Sequence, residues 1–287
     1  MAQLSNGETI SYQASGDGDR VLVLVHGQLS SSRHFKPLIP LLCEEYQVYT
    51  IDMRGFGGSS YVTPVESLHE LADDLAEFSR IMGINKAVYA GWSTGGCVVM
   101  SLAANYPELV DKLILITSAS YKGYALQKSD EHFMPIAGTR VETKEEMGTF
   151  PALTYPASHA LKTKDYALMK ERIDIAMHHI TTPTPEDEKE LLDAVFQQRN
   201  YLDVQWALNM FDISDEPTGN GNIHDIKAPV LSLWGEDDVL ISRYMAEETV
   251  AALGDKAKFV VFTKCGHNMM MDRTEAMVKE MDQFMKL

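Results

Sequence analysis

The chain has 287 residues, of which 45% are hydrophobic and 23% charged, the mixture of a soluble globular protein able to bury a sizeable core. Asp and Glu number 41 against 25 Lys and Arg, a formal charge of −16, so neither an extended phosphate-binding surface nor an anionic membrane is expected as a partner. The opening "MAQLSNGETISYQASGDGDR" holds no basic segment followed by an apolar stretch, and no apolar run approaches membrane-spanning length, which points to a cytoplasmic protein. Cys43, Cys97 and Cys265 are odd in number and widely spaced, as reduced thiols are, and fit neither a disulfide frame nor a zinc site.

The first half alternates between strand and helix signals. "ETISYQAS" has strand-like alternation, Asp17-Gly18 marks a turn, and "RVLVLVHG" is a continuous apolar run of the kind buried on both faces of a sheet. A helix is predicted over Arg33 to Glu44, then a strand in "YQVYTIDMRG". Ser67-Leu68-His69-Glu70 has capping-box spacing ahead of a helix that Gly83 ends. The strand "KAVYAGW", a helix after Ser93 and the strand "VDKLILITSAS" complete this half, and such alternation implies a mostly parallel sheet covered on both faces.

From about Tyr121 to Lys227 the spacing is helical, with Leu168, Met169, Ile173, Ala176, Met177 and Ile180 on one repeat and a polar joint at Thr181 to Glu190. The strand pattern resumes with "APVLSLWGEDD" at Ala228, followed by helix, the strand "AKFVVFT" and a closing helix in "DRTEAMVKEMDQFMKL". A core of residues 1–120 and 228–287 with a helical insertion at 121–227 is therefore expected.

The chemistry gathers where strands end. Gly91-Trp92-Ser93-Thr94-Gly95 reads G-x-S-x-G between a strand and a helix, a turn that lifts a serine hydroxyl above the sheet as a nucleophile. A serine needs a base, and the base needs an orienting group. His267 follows the last strand in a Gly-His pair, and Glu236, Asp237 and Asp238 follow the strand before it. Asp238 is taken as the orienting acid, with Asp237 its rival. Adjacent His178 and His179 point in different directions on a helix and are read as a solvated helix end rather than a metal site.

The order Ser93, Asp238, His267, together with His26-Gly27, "DMRGFGGS" and the helical insertion, resembles the α/β-hydrolase superfamily over nearly the whole chain. The resemblance implies a mostly parallel, eight-stranded sheet with helices on both faces and an inserted helical cap. It also implies an oxyanion hole made by the backbone N–H groups of Gln28 and Thr94, with His26 bracing their loop and no metal or cofactor required. Serine at the nucleophile position argues against the aspartate-dependent dehalogenase and epoxide-hydrolase branches. "HGQLSSS" departs from the glycine-rich loop of carbon–carbon bond hydrolases and from the proline-bearing loop of cofactor-free haloperoxidases and perhydrolases.

The esterase and lactonase branch fits best, and the Gly-Trp-Ser turn, "SYKGY" and the long cap look most like intracellular short-chain polyhydroxyalkanoate depolymerases. A small-molecule receptor of the same fold is the non-enzymatic alternative. Substrate contacts are expected from Trp92, Met269 and Met270; of the cap side chains Met169, Met177, Trp206, Met210 and Phe211 most are expected to pack the helices and a few to face the pocket, which suits a mostly apolar ester or lactone. Arg33 or Lys122 would supply a local contact to an anion.

Overall fold

The computed structural model of the protein describes residues 1–132, 134–151 and 153–287. The chain opens with two short strands, β1 (Ala2–Gln3) and β2 (Thr9–Ile10), which pair antiparallel with each other. β3 (Tyr12–Ser15), β4 (Arg20–Val25), β5 (Tyr46–Ile51), β6 (Ala87–Trp92), β7 (Val110–Ile116), β8 (Val230–Gly235) and β9 (Ala257–Phe262) form one seven-stranded sheet in the order β3-β5-β4-β6-β7-β8-β9. Only the β3 edge is antiparallel.

The expected parallel sheet is thus present with seven strands rather than eight. The seven are the strands read in the sequence, and the eighth was implied by the resemblance alone; "ETISYQAS" itself does not run as one strand. At Ser11 the carbonyl accepts from Asp52 N at 2.8 Å, Thr9–Ile10 turn to β1, and Tyr12–Ser15 edge the large sheet.

Side chains alternate across these strands and both faces are buried. Leu22 and Leu24 of β4 enter one core, and Val23 and Val25 enter the other. Ile114 and Ile116 of β7 likewise oppose Leu113 and Leu115. Each fully buried side chain of this kind contributes roughly 1.5–3 kcal/mol, and a sheet covered on both sides is the arrangement that continuous apolar strands require.

The helices are α1 (Ile39–Leu42), α2 (Leu68–Ile81), α3 (Thr94–Asn105), α4 (Lys144–Gly148), α5 (Thr154–Thr163), α6 (Tyr166–Met177), α7 (Pro185–Val195), α8 (Tyr201–Met210), α9 (Arg243–Leu253), α10 (Met269–Asp272) and α11 (Thr274–Lys286). The helix expected over Arg33 to Glu44 is instead a 3₁₀ turn at Ser32–Phe35 followed by the one-turn α1. Two prolines explain the break: Pro37 lies between the two turns, and Pro40, lacking an N–H, sits in the first turn of α1. α2 keeps its predicted start, with Ser67 Oγ accepting from Glu70 N at 3.4 Å. The closing helix is α11 as expected, preceded by the one-turn α10, from which Arg273 separates it by leaving helical geometry.

Between β7 and β8 the chain supplies α4 to α8 and, among the described residues, no strand of the sheet. Met169, Ile173 and Met177 of α6 join the core on one side, while Val204, Ala207 and Leu208 of α8 join the other. These helices therefore reach over the carboxyl ends of the strands, where the candidate site lies.

Candidate active site

Ser93 sits at the end of β6, the middle strand, with φ 56° and ψ −122°. That backbone is strained for a residue with a side chain, by about 1–3 kcal/mol, and three contacts hold it. Ser93 N donates to Ile116 O at 3.0 Å, while Ser93 O accepts from Gly96 N at 2.9 Å and from Ala119 N at 3.3 Å. The flanking glycines are required by space rather than by φ. A Cβ on Gly91 would strike Gly95 O, and one on Gly95 would strike Val25 O. Gly27, at the end of β4, passes so close that a Cβ there would lie 2.8 Å from Ser93 Cβ.

His267 follows β9, and its Nδ1 lies 2.8 Å from Oδ2 of Asp238, which follows β8. Both side chains are buried, with relative exposures of 1% and 0%. A carboxylate accepts, so Nδ1 carries the proton and Nε2 is left with its lone pair. The second carboxylate oxygen of Asp238 accepts from Leu240 N at 2.8 Å and Ile241 N at 2.9 Å, which fixes the acid. Asp237 does other work: its Oδ2 accepts from Cys265 N at 3.2 Å.

Ser93, Thr94, Gln28 and His267 line one cavity of about 110 Å³, together with Leu29, Tyr124, Leu153, Arg172, Ile173, Met177, Tyr201, Gln205 and Leu240 among others. Gln28 N and Thr94 N donate no hydrogen bond among the described residues. The Thr94 hydroxyl is buried and likewise without a partner among them. His26 is fully buried beneath the loop; Nδ1 donates to Gly27 O at 2.8 Å and Nε2 accepts from Met53 N at 3.1 Å. Burial pushes its pKa down, outweighing the pull of Asp52, so the ring braces the loop in neutral form.

The expected substrate contacts are displaced. Trp92, Met269 and Met270 are fully buried in the core and do not line the cavity. Alternation on β6 is the reason: Val88, Ala90 and Trp92 share the face opposite Tyr89. Trp92 instead braces His267: its Nε1 donates to His267 O at 3.0 Å and its ring centroid lies 5.5 Å from the imidazole. Thr117 Oγ1 donates to the same carbonyl at 3.2 Å. Of the five insertion side chains, of which a few were expected to face the pocket and the rest to pack the helices, Met177 is a wall residue and Trp206 is partly buried away from it. Met169 and Phe211 are core, and Met210 is exposed.

Arg33 and Lys122 lie outside the cavity, paired with Glu190 at 3.2 Å and Glu216 at 2.6 Å. Arg54, beside the Asp52 turn, is a buried structural partner of Asp74 at 2.7 Å. His178 and His179 do point apart, the first buried near Asp174 and the second exposed with Nε2 2.8 Å from Asp237 O. Among the described residues no group of three or more His, Cys, Asp or Glu side chains is arranged to hold a metal ion. The three cysteines are free, and no helix of the described residues is long and apolar enough to cross a membrane.

Sequence reading overlooked a network of amides. Gln28 Nε2 donates to Tyr201 O at 3.2 Å and to Gln205 Oε1 at 3.1 Å, and Gln28 Oε1 accepts from Gln198 Nε2 at 3.0 Å. Gln198 Oε1 in turn accepts from Leu29 N at 2.9 Å. The loop after β4 is thereby tied to α8. The polar run Gln197-Gln198-Arg199-Asn200 just before that helix was the visible signal.

A family profile described as alpha/beta hydrolase fold matches residues 20–274. The chain is similar to a 2-hydroxy-6-oxononadienedioate/2-hydroxy-6-oxononatrienedioate hydrolase of Paraburkholderia phymatum, 25% identical across 90% of this chain and 84% of that protein. It is similar also to a pimeloyl-acyl-carrier-protein methyl ester esterase of Pectobacterium carotovorum, 24% identical across 96% of this chain and 98% of that one. Among solved structures, an enol-lactonase from Burkholderia xenovorans superimposes with a TM-score of 0.78 over 98% of both chains at 18% identity, a likeness of fold.

Proposed function

The chain belongs to the α/β-hydrolase fold family, and from that premise we propose that it is a serine hydrolase cleaving small to medium carboxylic esters or lactones through an acyl-enzyme. The observation that carries the reading is the juxtaposition of Ser93 and His267 on one cavity wall with Asp238 hydrogen-bonded behind the imidazole. In this reading residues 1–120 and 228–287 are the catalytic core and 121–227 the cap.

Ser93 Oγ attacks the carbonyl carbon as its proton passes to His267 Nε2, and the carbonyl oxygen becomes an oxyanion beside Gln28 N and Thr94 N. The C–O bond to the leaving alcohol breaks, and the alcohol takes the proton from His267. Water then repeats the sequence: it gives a proton to Nε2, attacks the acyl carbon, and the acid departs as Ser93 recovers its proton. Asp238 holds the tautomer and stabilises the imidazolium that forms twice in the cycle. The mechanism calls for no metal or organic cofactor. Two preorganised donors removed from water contribute several kcal/mol to lowering such a barrier, and the free N–H groups of Gln28 and Thr94 support that assignment.

The mainly apolar wall, with Leu29, Ile173, Met177, Leu208 and Leu240, supports an uncharged reacting part of modest size. The test is kcat/KM for p-nitrophenyl esters of increasing chain length, simple lactones and hydroxybutyrate oligomers, beside labelling by a fluorophosphonate. An optimum at short or medium acyl chains with Ser93 labelled is expected. Preference for long-chain lipids, for amides, or for carbon–carbon cleavage of diketones over all esters overturns the reading. Ligand binding without turnover would make the protein a receptor.

A further inference from the structure

Tyr124 and Leu153 stand between two hollows. On one side they line the cavity of about 110 Å³ with Ser93 and His267, and on the other a groove of about 400 Å³ with Leu126, Pro135, Phe150 and Met245. No charged side chain lines the groove among the described residues. Its neighbours in the chain are apolar and exposed as well: Met134 and Ile136 flank Pro135, and Tyr244 precedes Met245. Exposed apolar side chains gathered about a concave surface mark a contact for an apolar ligand.

Hydrogen bonds hold the groove in shape. Leu126 N donates to Asn209 Oδ1 at 2.9 Å, Leu126 O accepts from Val141 N at 2.8 Å, and Tyr124 N donates to Leu208 O at 3.1 Å. Met245 lies in the first turn of α9, and α9 is tied to the chain just before Tyr124, because Thr249 Oγ1 accepts from Tyr121 N at 3.1 Å.

The proposed chemistry decides which half of a substrate meets this groove. His267 returns its proton to the leaving oxygen, so the alcohol part lies on the imidazole side, while the carbonyl oxygen turns to Gln28 N and Thr94 N. Tyr124 belongs to the imidazole side. It shares the cavity wall with Leu240 and Ile241, whose N–H groups hold Asp238, the partner of His267. Burial raises the Tyr124 phenol pKa, and the negative charge of Asp238 raises it further.

We infer that the groove receives the alcohol part of the substrate, so that the preferred esters join a small acyl group to an extended, uncharged, apolar alcohol. In a lactone the corresponding group is an alkyl chain on the carbon that bears the ring oxygen. Bond making and breaking remain at Ser93, and the groove only holds. This rests on the ester and lactone reading above and names which half of the substrate is selected.

The experiment uses esters whose leaving alcohols differ little in acidity: ethyl, butyl and hexyl acetate, set against methyl esters that are their isomers, methyl pentanoate for butyl acetate and methyl heptanoate for hexyl acetate. In the unaltered protein kcat/KM should rise roughly two- to fourfold per methylene added to the alcohol, and each acetate should outrun its methyl-ester isomer. Leu126→Trp, which fills the groove, should bring the ratio of hexyl to ethyl acetate to near one, and Met245→Trp should do the same should Leu126→Trp fold poorly. In the unaltered protein 1-hexanol should compete with ethyl acetate more strongly than ethanol does. A ratio that is flat along the alcohol series, a preference for the methyl-ester isomers, or a ratio that survives both Trp variants overturns the inference. A dimer in sedimentation, or binding to phosphatidylcholine vesicles, that Leu126→Arg abolishes would assign the groove to a second copy or to a lipid surface and likewise overturn it. Failure of the ester reading is separate: then p-nitrophenyl acetate is not turned over at all.

Discussion

Asp238 Oδ2 and His267 Nδ1 face each other at 2.8 Å, and the neighbouring carboxylate of Asp237 binds Cys265 N instead. Asp238→Asn would present an amide that stabilises the wrong imidazole tautomer, so kcat on an ester substrate should fall by about 10⁴-fold. Asp237→Asn keeps an oxygen for Cys265 N and should change kcat only a few-fold. Steady-state kinetics on both variants checks the pair, and reversed effects would transfer the orienting role to Asp237.

Ser93→Ala removes the hydroxyl while keeping a Cβ at the strained position. Turnover and fluorophosphonate labelling should both disappear. The thermal midpoint should stay within a few degrees, because Ser93 is held by its backbone bonds to Ile116, Gly96 and Ala119. Undiminished hydrolysis in this variant would sink the mechanism.

Gly27→Ala places a methyl group 2.8 Å from Ser93 Cβ and 3.1 Å from Trp92 O. Neither neighbour is the end of a flexible side chain, so the β4 and β6 loops must separate. A loss of about 1–3 kcal/mol in stability is expected, readable by urea unfolding. Activity should fall further than stability alone explains, since the displaced loop carries Gln28.

Stability should decline on acidification through a histidine that takes no part in the chemistry. His34 is fully buried, and burial, reinforced by His26 and His178, pushes its pKa down from 6.5 to about 3. The folded chain then binds fewer protons than the unfolded one between these values, so the stabilisation is complete above pH 6.5 and is lost as pH falls toward 3. One such group contributes a slope of about 1.4 kcal/mol per pH unit in that window. In His34→Gln the urea midpoint should vary less steeply between pH 6 and pH 4, and an unchanged slope would show that His34 is already charged in the fold.

The proposed reacting groups were legible as candidates because each sits where a strand pattern stops: Ser93 after β6, Asp238 after β8, His267 after β9. Order along the chain and position in the sheet are local facts of the sequence. The choice between Asp237 and Asp238 was not local, since adjacent residues in a loop differ only in which way the turn aims them. The wall of the cavity was harder still. Arg172, Ile173, Ala176 and Met177 lie on a helix whose exposed and covered faces are both partly apolar, and which face meets the sheet is decided by packing between α5, α6 and α8. Trp92 adjoins Ser93 in sequence, yet strand alternation sends its ring to the opposite side, where it holds the His267 carbonyl. The edge strand was misjudged for a related reason, because Ser11 changes partners in the middle of an alternating stretch.

The bonds from Gln28 to Tyr201 and Gln205, and from Gln198 to Leu29 N, give the molecule an interlock. Any swing of α8 wide enough to admit a bulky guest must first let go of the loop after β4, and that loop carries one of the two donors on which the proposed chemistry depends. Under the proposed chemistry, a guest that kept α8 away from that loop would therefore meet a Gln28 no longer held by Tyr201 and Gln205.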